Sequence, residues 1–260
     1  MNRLPIISIT ILLFIIFTSI FGGFIYKKDP YQLNKDTILK PPSFQNPLGT
    51  DRLGRDILAR VIVGTQTSLI IGVGSGILTT LIGFIFGVSS GYFGKFDKFF
   101  VFLVDIFLTF PTLFLLLALI SYLEGTVLII ILILSITGWM TTARLVRSES
   151  FKLLNRGYIK ILRIGKVNNF KILFKYMLPP LLPIIATSFI FTLSGAILAE
   201  SSLSFLGLGI VPPNISLGTI LSNGRYIMDI AWWVTLFPGL IIFLITYSLI
   251  NISDYLQNKI

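Results

Sequence analysis

The 260-residue sequence contains no cysteine and no histidine, and only 12% of its residues are charged. Without cysteine there is no disulfide framework and no thiol chemistry; without histidine there is no imidazole to serve as base, pH switch or metal ligand. Most hydrolytic and metal-dependent mechanisms are thereby removed, and no remaining nucleophile has a nearby base. Catalytic residues and metal ligands are therefore expected to be none. A phosphate-binding loop is missing too, since it requires GxxxxGK[ST] so that backbone amides and a lysine hold the phosphates. The two Gly-Lys pairs, Gly94-Lys95 and Gly165-Lys166, are followed by Phe96 and Val167 and lack the first glycine. This chain cannot hydrolyse ATP by itself.

What is abundant is apolar. At 54% hydrophobic residues and a mean hydropathy of +0.90, the chain is far more apolar than a soluble domain of its size needs to be, and reads as an all-α integral membrane protein. Its net charge of +10 does not suggest nucleic acid, because the basic residues sit beside apolar runs and are not interleaved with aromatics on a soluble module.

Six runs are long enough to cross a ~30 Å hydrocarbon core. They are residues 5–26, 69–92, 99–122 (with Asp105 and Pro111), 126–143, 181 to about 208 (with Pro183 and Glu200), and 237–251. The first is read as a retained helix, since only Arg3 makes a charged n-region and no clear small-x-small cleavage site follows. Along the second, Gly72, Gly76, Gly83, Gly87 and Gly91 form small-residue ridges expected to pack within the chain. Trp232 and Trp233 are expected at a membrane interface. Residues 1–68 form a first helix and outer loop, and residues 69–260 a five-helix core.

The most distinctive stretch runs from Arg144 to Pro179. It holds nine of the 21 basic residues and one acid, Glu149. Phe151, Leu154, Tyr158, Ile161 and Leu162 recur at three- and four-residue steps, as one face of a helix requires. Gly165 offers a position for positive φ, Asn168 or Asn169 can cap a new helix, and Pro179-Pro180 is expected to break it. Any membrane protein can carry a positive cytoplasmic loop. The order of residues says more: helix, Gly, helix and Leu178-Pro179 between two spans resembles the coupling loop of binding-protein-dependent ABC import permeases. In that family a Glu-Ala-Ala triplet precedes a Gly, with Leu-Pro a fixed interval later. Counted back from Leu178-Pro179, the triplet falls on Lys160, Ile161 and Leu162, and the Gly position on Lys166, one residue after Gly165.

A second landmark is NPLGTDRLGRD, Asn46 to Asp56, which resembles the LGTDxxGRD signature of C-type permeases of the dipeptide, oligopeptide and nickel subfamily. Gly49 and Gly54 allow turns, while Asp51, Arg55 and Asp56 are close enough to pair or to cap a helix starting near Ile57. SLSFLGLG, ending at Gly209 and followed by Pro212-Pro213, is similar to the same subfamily. The C-terminus keeps Asn251 and Asp254 of its NxxGDxLRD, with Ser253 and Gln257 replacing Gly and Arg.

The resemblance implies six transmembrane helices, both termini inside, and a cytoplasmic coupling loop over residues 144–178 between helices 4 and 5. It implies a multi-pass prokaryotic cell-membrane protein that forms half of a path for peptides or nickel and other metal chelates. Its partners would be a second, B-type permease, two ATPase subunits or domains carrying ATP and Mg, an extracytoplasmic binding protein and the bilayer, with no cofactor on this chain. Glu200, Ser201 and Ser204 are candidates for the path. Inner segments hold Arg3, Lys95, Lys98, the nine loop residues and Lys259, whereas the first outer loop carries seven basic residues from Lys27 to Arg60 against four acids. A channel would be expected to show a selectivity ring or arginine ladder, and an intramembrane enzyme convergent titratable groups at membrane depth. Neither pattern is present.

Overall fold

The computed structural model describes residues 5–258. Arg3 and Lys259, counted above among the inner charges, lie outside them, as does the side chain of Lys95. The described residues form α1 (Ile6–Ile25), α2 (Ile57–Tyr92), α3 (Gly94–Thr109), α4 (Thr112–Ile120), α5 (Val127–Leu154), α6 (Gly157–Ile164), α7 (Asn169–Lys171), α8 (Leu178–Phe205), α9 (Leu217–Gly224) and α10 (Trp233–Gln257). Among them, five helical runs are long and apolar enough to cross a membrane, and six if α3 and α4 count as one bent span. The fold is all-α and of six-span type.

Three expectations change. The third span is not one helix: α3 and α4 meet at 82°. Pro111 causes the break, because it lacks an N–H and drives the preceding residue into extended backbone; Phe110 sits at φ −84, ψ 130. The second span does not begin at Leu69, since α2 starts at Ile57 and runs for 36 residues, roughly 54 Å at the helical rise. Its early polar residues find partners inside the protein: Gln66 donates to the Ser19 carbonyl and Thr65 to the Val61 carbonyl at 2.7 Å. The Pro179-Pro180 pair does not break the helix either. Ahead of it, Ile172–Met177 forms a π-helical turn that joins α7 to α8, making one run from Asn169 to Phe205. Each proline ring would meet the carbonyl four residues back, here Lys175 and Tyr176, and both lie in the wider turn.

The glycine ridge of α2 packs within the chain. A Cβ at Gly83 would lie 2.7 Å from Thr142, one at Gly87 2.6 Å from the Ala143 carbonyl, and one at Gly91 2.7 Å from Ser150, all on α5. Gly72 and Gly76 face Ile197, Leu193 and Phe189 of α8. With no water-driven attraction between spans, this close backbone approach is what holds α2, α5 and α8 together. The acids of the third span are tied to α5 rather than to lipid: Arg147 grips Asp97 at 2.5 and 2.7 Å, and Arg144 pairs with Asp105. The sixth span begins early, at Trp233. Trp232 is exposed, but Trp233 is buried and donates to the Thr50 carbonyl at 3.1 Å, so only the first of the pair can serve as a surface anchor.

Candidate functional site

At the start of α2, the NPLGTDRLGRD stretch folds into a knot. Asp51, buried, accepts the Leu53 and Arg55 amides at 2.8 and 3.0 Å and the Arg55 Nε at 2.7 Å. Asp56 caps α2 by accepting the Ala59 amide at 3.0 Å, and its other oxygen accepts the Tyr26 hydroxyl at 2.7 Å and Lys28 Nζ at 3.2 Å. Burial, then the Asp56 carboxylate, push the Tyr26 phenol above its ordinary pKa, so it stays protonated and donating. Gly49 and Gly54 take positive φ, 76° and 72°. A side chain on Gly54 would run into the Asn34 carbonyl, 1.8 Å from an ideal Cβ. Both sequence expectations hold here, the Asp51–Arg55 pair and the Asp56 cap.

Behind this knot lies a second one. Glu200, fully buried on α8, accepts from Ser204 at 2.7 Å, Ser68 at 3.4 Å and Ser201 at 3.5 Å. Ser68 in turn accepts the Leu217 amide at the start of α9, at 3.2 Å. Glu200, Ser201 and Ser204 thus come together, but they satisfy one another and fasten α2, α8 and α9. This closure follows the rule that a buried carboxylate must be hydrogen-bonded.

The larger opening, about 380 Å³, lies among α2, α4, α5 and α8. Its walls carry Thr79, Thr112, Thr137, Thr141, Ser188 and Thr192 among apolar neighbours, and none of its lining residues is charged. The sequence reading missed these hydroxyls. They are spread over four helices, and their spacing along the chain gives no signal of convergence.

At the opposite end from the outer knot, α6 lies across the end of α2. Ile159 is fully buried and Leu162 and Val167 are partly buried, in a cluster with Tyr92, Leu153, Ile172 and Met177. The expected face of Phe151, Leu154, Tyr158, Ile161 and Leu162 is not continuous, because α5 runs on to Leu154 and stops before α6 begins. Arg144 and Arg147 are accordingly α5 residues, not loop. The outer face of α6 shows Ile161 and Ile164, 70% and 82% exposed, beside exposed Lys160, Arg163 and Gly165 and half-exposed Tyr158. The Arg163 guanidinium stacks on the Tyr92 ring at 4.3 Å and donates to the Tyr92 carbonyl at 3.2 Å. A cation there meets an orphan carbonyl at the end of a helix. Tyr92 also donates to the Asn169 side chain at 2.6 Å, and Asn168 caps α7.

Gly165 does not take positive φ. It sits at −72°, in contact distance of its own helix, and the left-handed residue is Lys166, at 51°. That is the position of the family's glycine as counted back from Leu178-Pro179, which now lie in the continuous run that ends in α8.

With this geometry in hand, the chain was compared with known proteins. Residues 79–260 match the family described as binding-protein-dependent transport system inner membrane component, and residues 1–42 match the N-terminal TM domain of oligopeptide transport permease C. The oligopeptide transport system permease protein OppC of Bacillus subtilis is 32% identical over 260 residues, covering all of this chain and 85% of that one. The protein of the same name from Mycobacterium tuberculosis H37Rv is 36% identical over 217 residues, 82% of this chain and 74% of that one. Among solved structures, a chain from the inward-facing MetNI methionine ABC transporter superposes with a TM-score of 0.58 at 21% identity, covering 75% of this chain and 95% of that one. At that identity the likeness concerns the fold.

Proposed function

This chain belongs to the family of binding-protein-dependent transport system inner membrane components, and on that premise we propose that it forms half of the path of an ATP-driven peptide importer. It is a multi-pass inner-membrane permease. In the proposed assembly a second, B-type permease supplies the other half of the path. Two ATPase subunits or domains, carrying ATP and Mg, bind at the cytoplasmic end, and an extracytoplasmic binding protein delivers the substrate.

The observation that carries this reading is the two-faced α6. Its inner face is fastened to the bundle by Ile159, Leu162 and the Arg163–Tyr92 stack, while Ile161 and Ile164 stand outward with nothing in this chain to cover them. Two large apolar side chains on a rigid surface helix, ringed by Lys160 and Lys166, have the character of an interface centre with a polar rim. Leu178 and Pro179 lie beyond α7 at the root of α8 and fix its approach to the loop.

Peptides are favoured over nickel or other metal chelates because relatives spanning most of the chain are named oligopeptide permeases. The uncharged, hydroxyl-bearing cavity supports the same choice, since a wall without fixed charge does not select among peptide side chains by sign. We assign this cavity to the path, and give Glu200, Ser201 and Ser204 the task of holding the helix junction above it.

The test is reconstitution of the complete complex in proteoliposomes with its binding protein, ATP and a labelled peptide mixture. ATP-dependent accumulation of peptide is expected. Accumulation of a nickel chelate in place of peptide would replace the substrate, and uptake of neither would reject the function.

A further inference from the structure

Between the outer knot and the segment from Ser204 to Asn223 lies a separate cavity of about 320 Å³, at the small end of the range for small-molecule sites. Arg52, Arg55 and Arg60 all line it, together with Asn214, Thr219 and Asn223. Three guanidinium groups face it, and the one carboxylate among their partners is Asp51. Arg55 takes that carboxylate at 2.7 Å. Arg60 reaches it only at 3.9 Å through Nε, an enclosed atom with no hydrogen bond.

Arg60 is the unusual member. It is only 3% exposed, and its guanidinium makes a single protein hydrogen bond, Nη1 to the Pro30 carbonyl at 3.2 Å. A buried guanidinium has five donors to satisfy, and leaving a buried charge under-paired is costly. Arg52, exposed at the rim, has no ion pair or hydrogen bond among the described residues, and neither do the side-chain amides of Asn214 and Asn223. Glu200 does not neutralise the cavity directly, because Ser204 stands between, donating to Glu200 and accepting the Ile210 amide.

We propose that this cavity is a carboxylate-binding site at the outer mouth of the permease, taking the C-terminal carboxylate of a short peptide. Arg60 and Arg52 grip the carboxylate, for which the planar guanidinium fork is the matching group. Asn214 and Asn223 offer the amide donors and acceptors that the last peptide unit requires. The peptide identity of the ligand rests on the function proposed above; the carboxylate site itself rests on the cavity and its arginines.

The test uses the complete permease–ATPase complex in nanodiscs without its binding protein, titrated calorimetrically with tri-alanine, tri-alanine amide and acetate. Tri-alanine should bind, and its amide should bind at least about tenfold more weakly, as should tri-alanine to Arg60→Gln, because hydrogen bonds to a charged group are lost. Arg60 also holds the Pro30 carbonyl, so Arg60→Gln carries a risk of misfolding. Arg52→Gln removes a side chain that touches nothing, and should weaken tri-alanine about two- to fivefold with unchanged thermal unfolding. Equal binding of tri-alanine and its amide, or wild-type binding by both variants, would overturn the site. So would an Arg60→Gln complex that binds tri-alanine normally but loses affinity for the binding protein, since the pocket would then be a protein-docking surface. ATP-driven peptide uptake by the same preparation separates the two claims. Uptake without carboxylate-dependent binding sinks this inference alone; Arg60-dependent acetate binding without peptide uptake keeps the carboxylate site and removes the peptide.

Discussion

Replacing Ile161 or Ile164 by aspartate asks which face of α6 meets the ATPase. Full burial of an isoleucine side chain is worth about 1.5–3 kcal/mol. With 70% and 82% of the two residues still exposed, covering both would contribute roughly 2–4.5 kcal/mol, on the order of 10²–10³ in affinity. Aspartate forfeits that contribution and adds the desolvation of a charge, so the double variant Ile161→Asp/Ile164→Asp should lose ATPase co-purification and peptide-stimulated hydrolysis. The permease itself should stay folded, because neither side chain packs on its own bundle. Leu162→Asp provides the contrast. Leu162 lies with Ile159 and Val167 against Tyr92, so a carboxylate there unseats the loop and lowers the thermal stability of the permease even without ATPase. The assay is pull-down stoichiometry and ATP hydrolysis in the reconstituted complex, beside thermal unfolding of the permease pair in detergent. Wild-type co-purification and hydrolysis in the Ile161→Asp/Ile164→Asp variant would refute the reasoning, leaving α6 an ordinary connector.

Lys166→Gly should stabilise the loop by roughly 0.5–1 kcal/mol, since a non-glycine residue pays about 1–2 kcal/mol in the left-handed region and glycine's greater freedom in the unfolded chain offsets part of it; slower amide exchange over residues 157–171 would register the gain, and faster exchange would contradict it. Gly165→Val should be tolerated, because φ is −72° and an added Cβ would lie 3.4 Å from the Ile161 carbonyl, an ordinary contact; a loss of ATPase coupling in this variant would show that Gly165 does more than end a helix. Gly54→Ala should destabilise the protein by a few kcal/mol, combining a positive φ of 72° with a clash on the Asn34 carbonyl. Gly23→Ala on α1, with nothing within 4 Å, is the matched control, and equal melting of the two in detergent would remove the packing argument.

The outer knot was legible because its chemistry is local. Asp51 reaches residues two and four ahead, Asp56 reaches Ala59 three ahead, and the positive φ values fall on glycines, so spacing alone states the contacts. The coupling helix was legible in place but not in orientation. It is apolar on two faces, and no periodicity ranks Ile159 and Leu162 above Ile161 and Ile164 for burial; that choice is made by Tyr92 at the end of α2, some 67 residues away in sequence from Ile159. The same distance hides why Lys166 and not Gly165 turns the chain: Val167 and Asn169 must both reach back to Tyr92. Glu200 read as a path residue because an acid in a span is costly and marks function by default. What cancels the cost is Ser68, brought in from 132 positions away.

Charge bias looks different once partners are known. Arg144 and Arg147, counted toward a cytoplasmic surplus, are committed to Asp105 and Asp97 and so serve to lock α3 against α5. The outer loop, whose seven basic residues oppose the usual bias, uses Lys28 and Arg55 in the same way, on Asp56 and Asp51. Pairing of this kind leaves little net field to act on orientation. Arg60 and Arg52 are not neutralised so, the first buried with a distant carboxylate and the second without one. Positive charge kept on the side where orientation disfavours it, and aimed into a cavity, needs a use other than topology, and an arriving carboxylate supplies it.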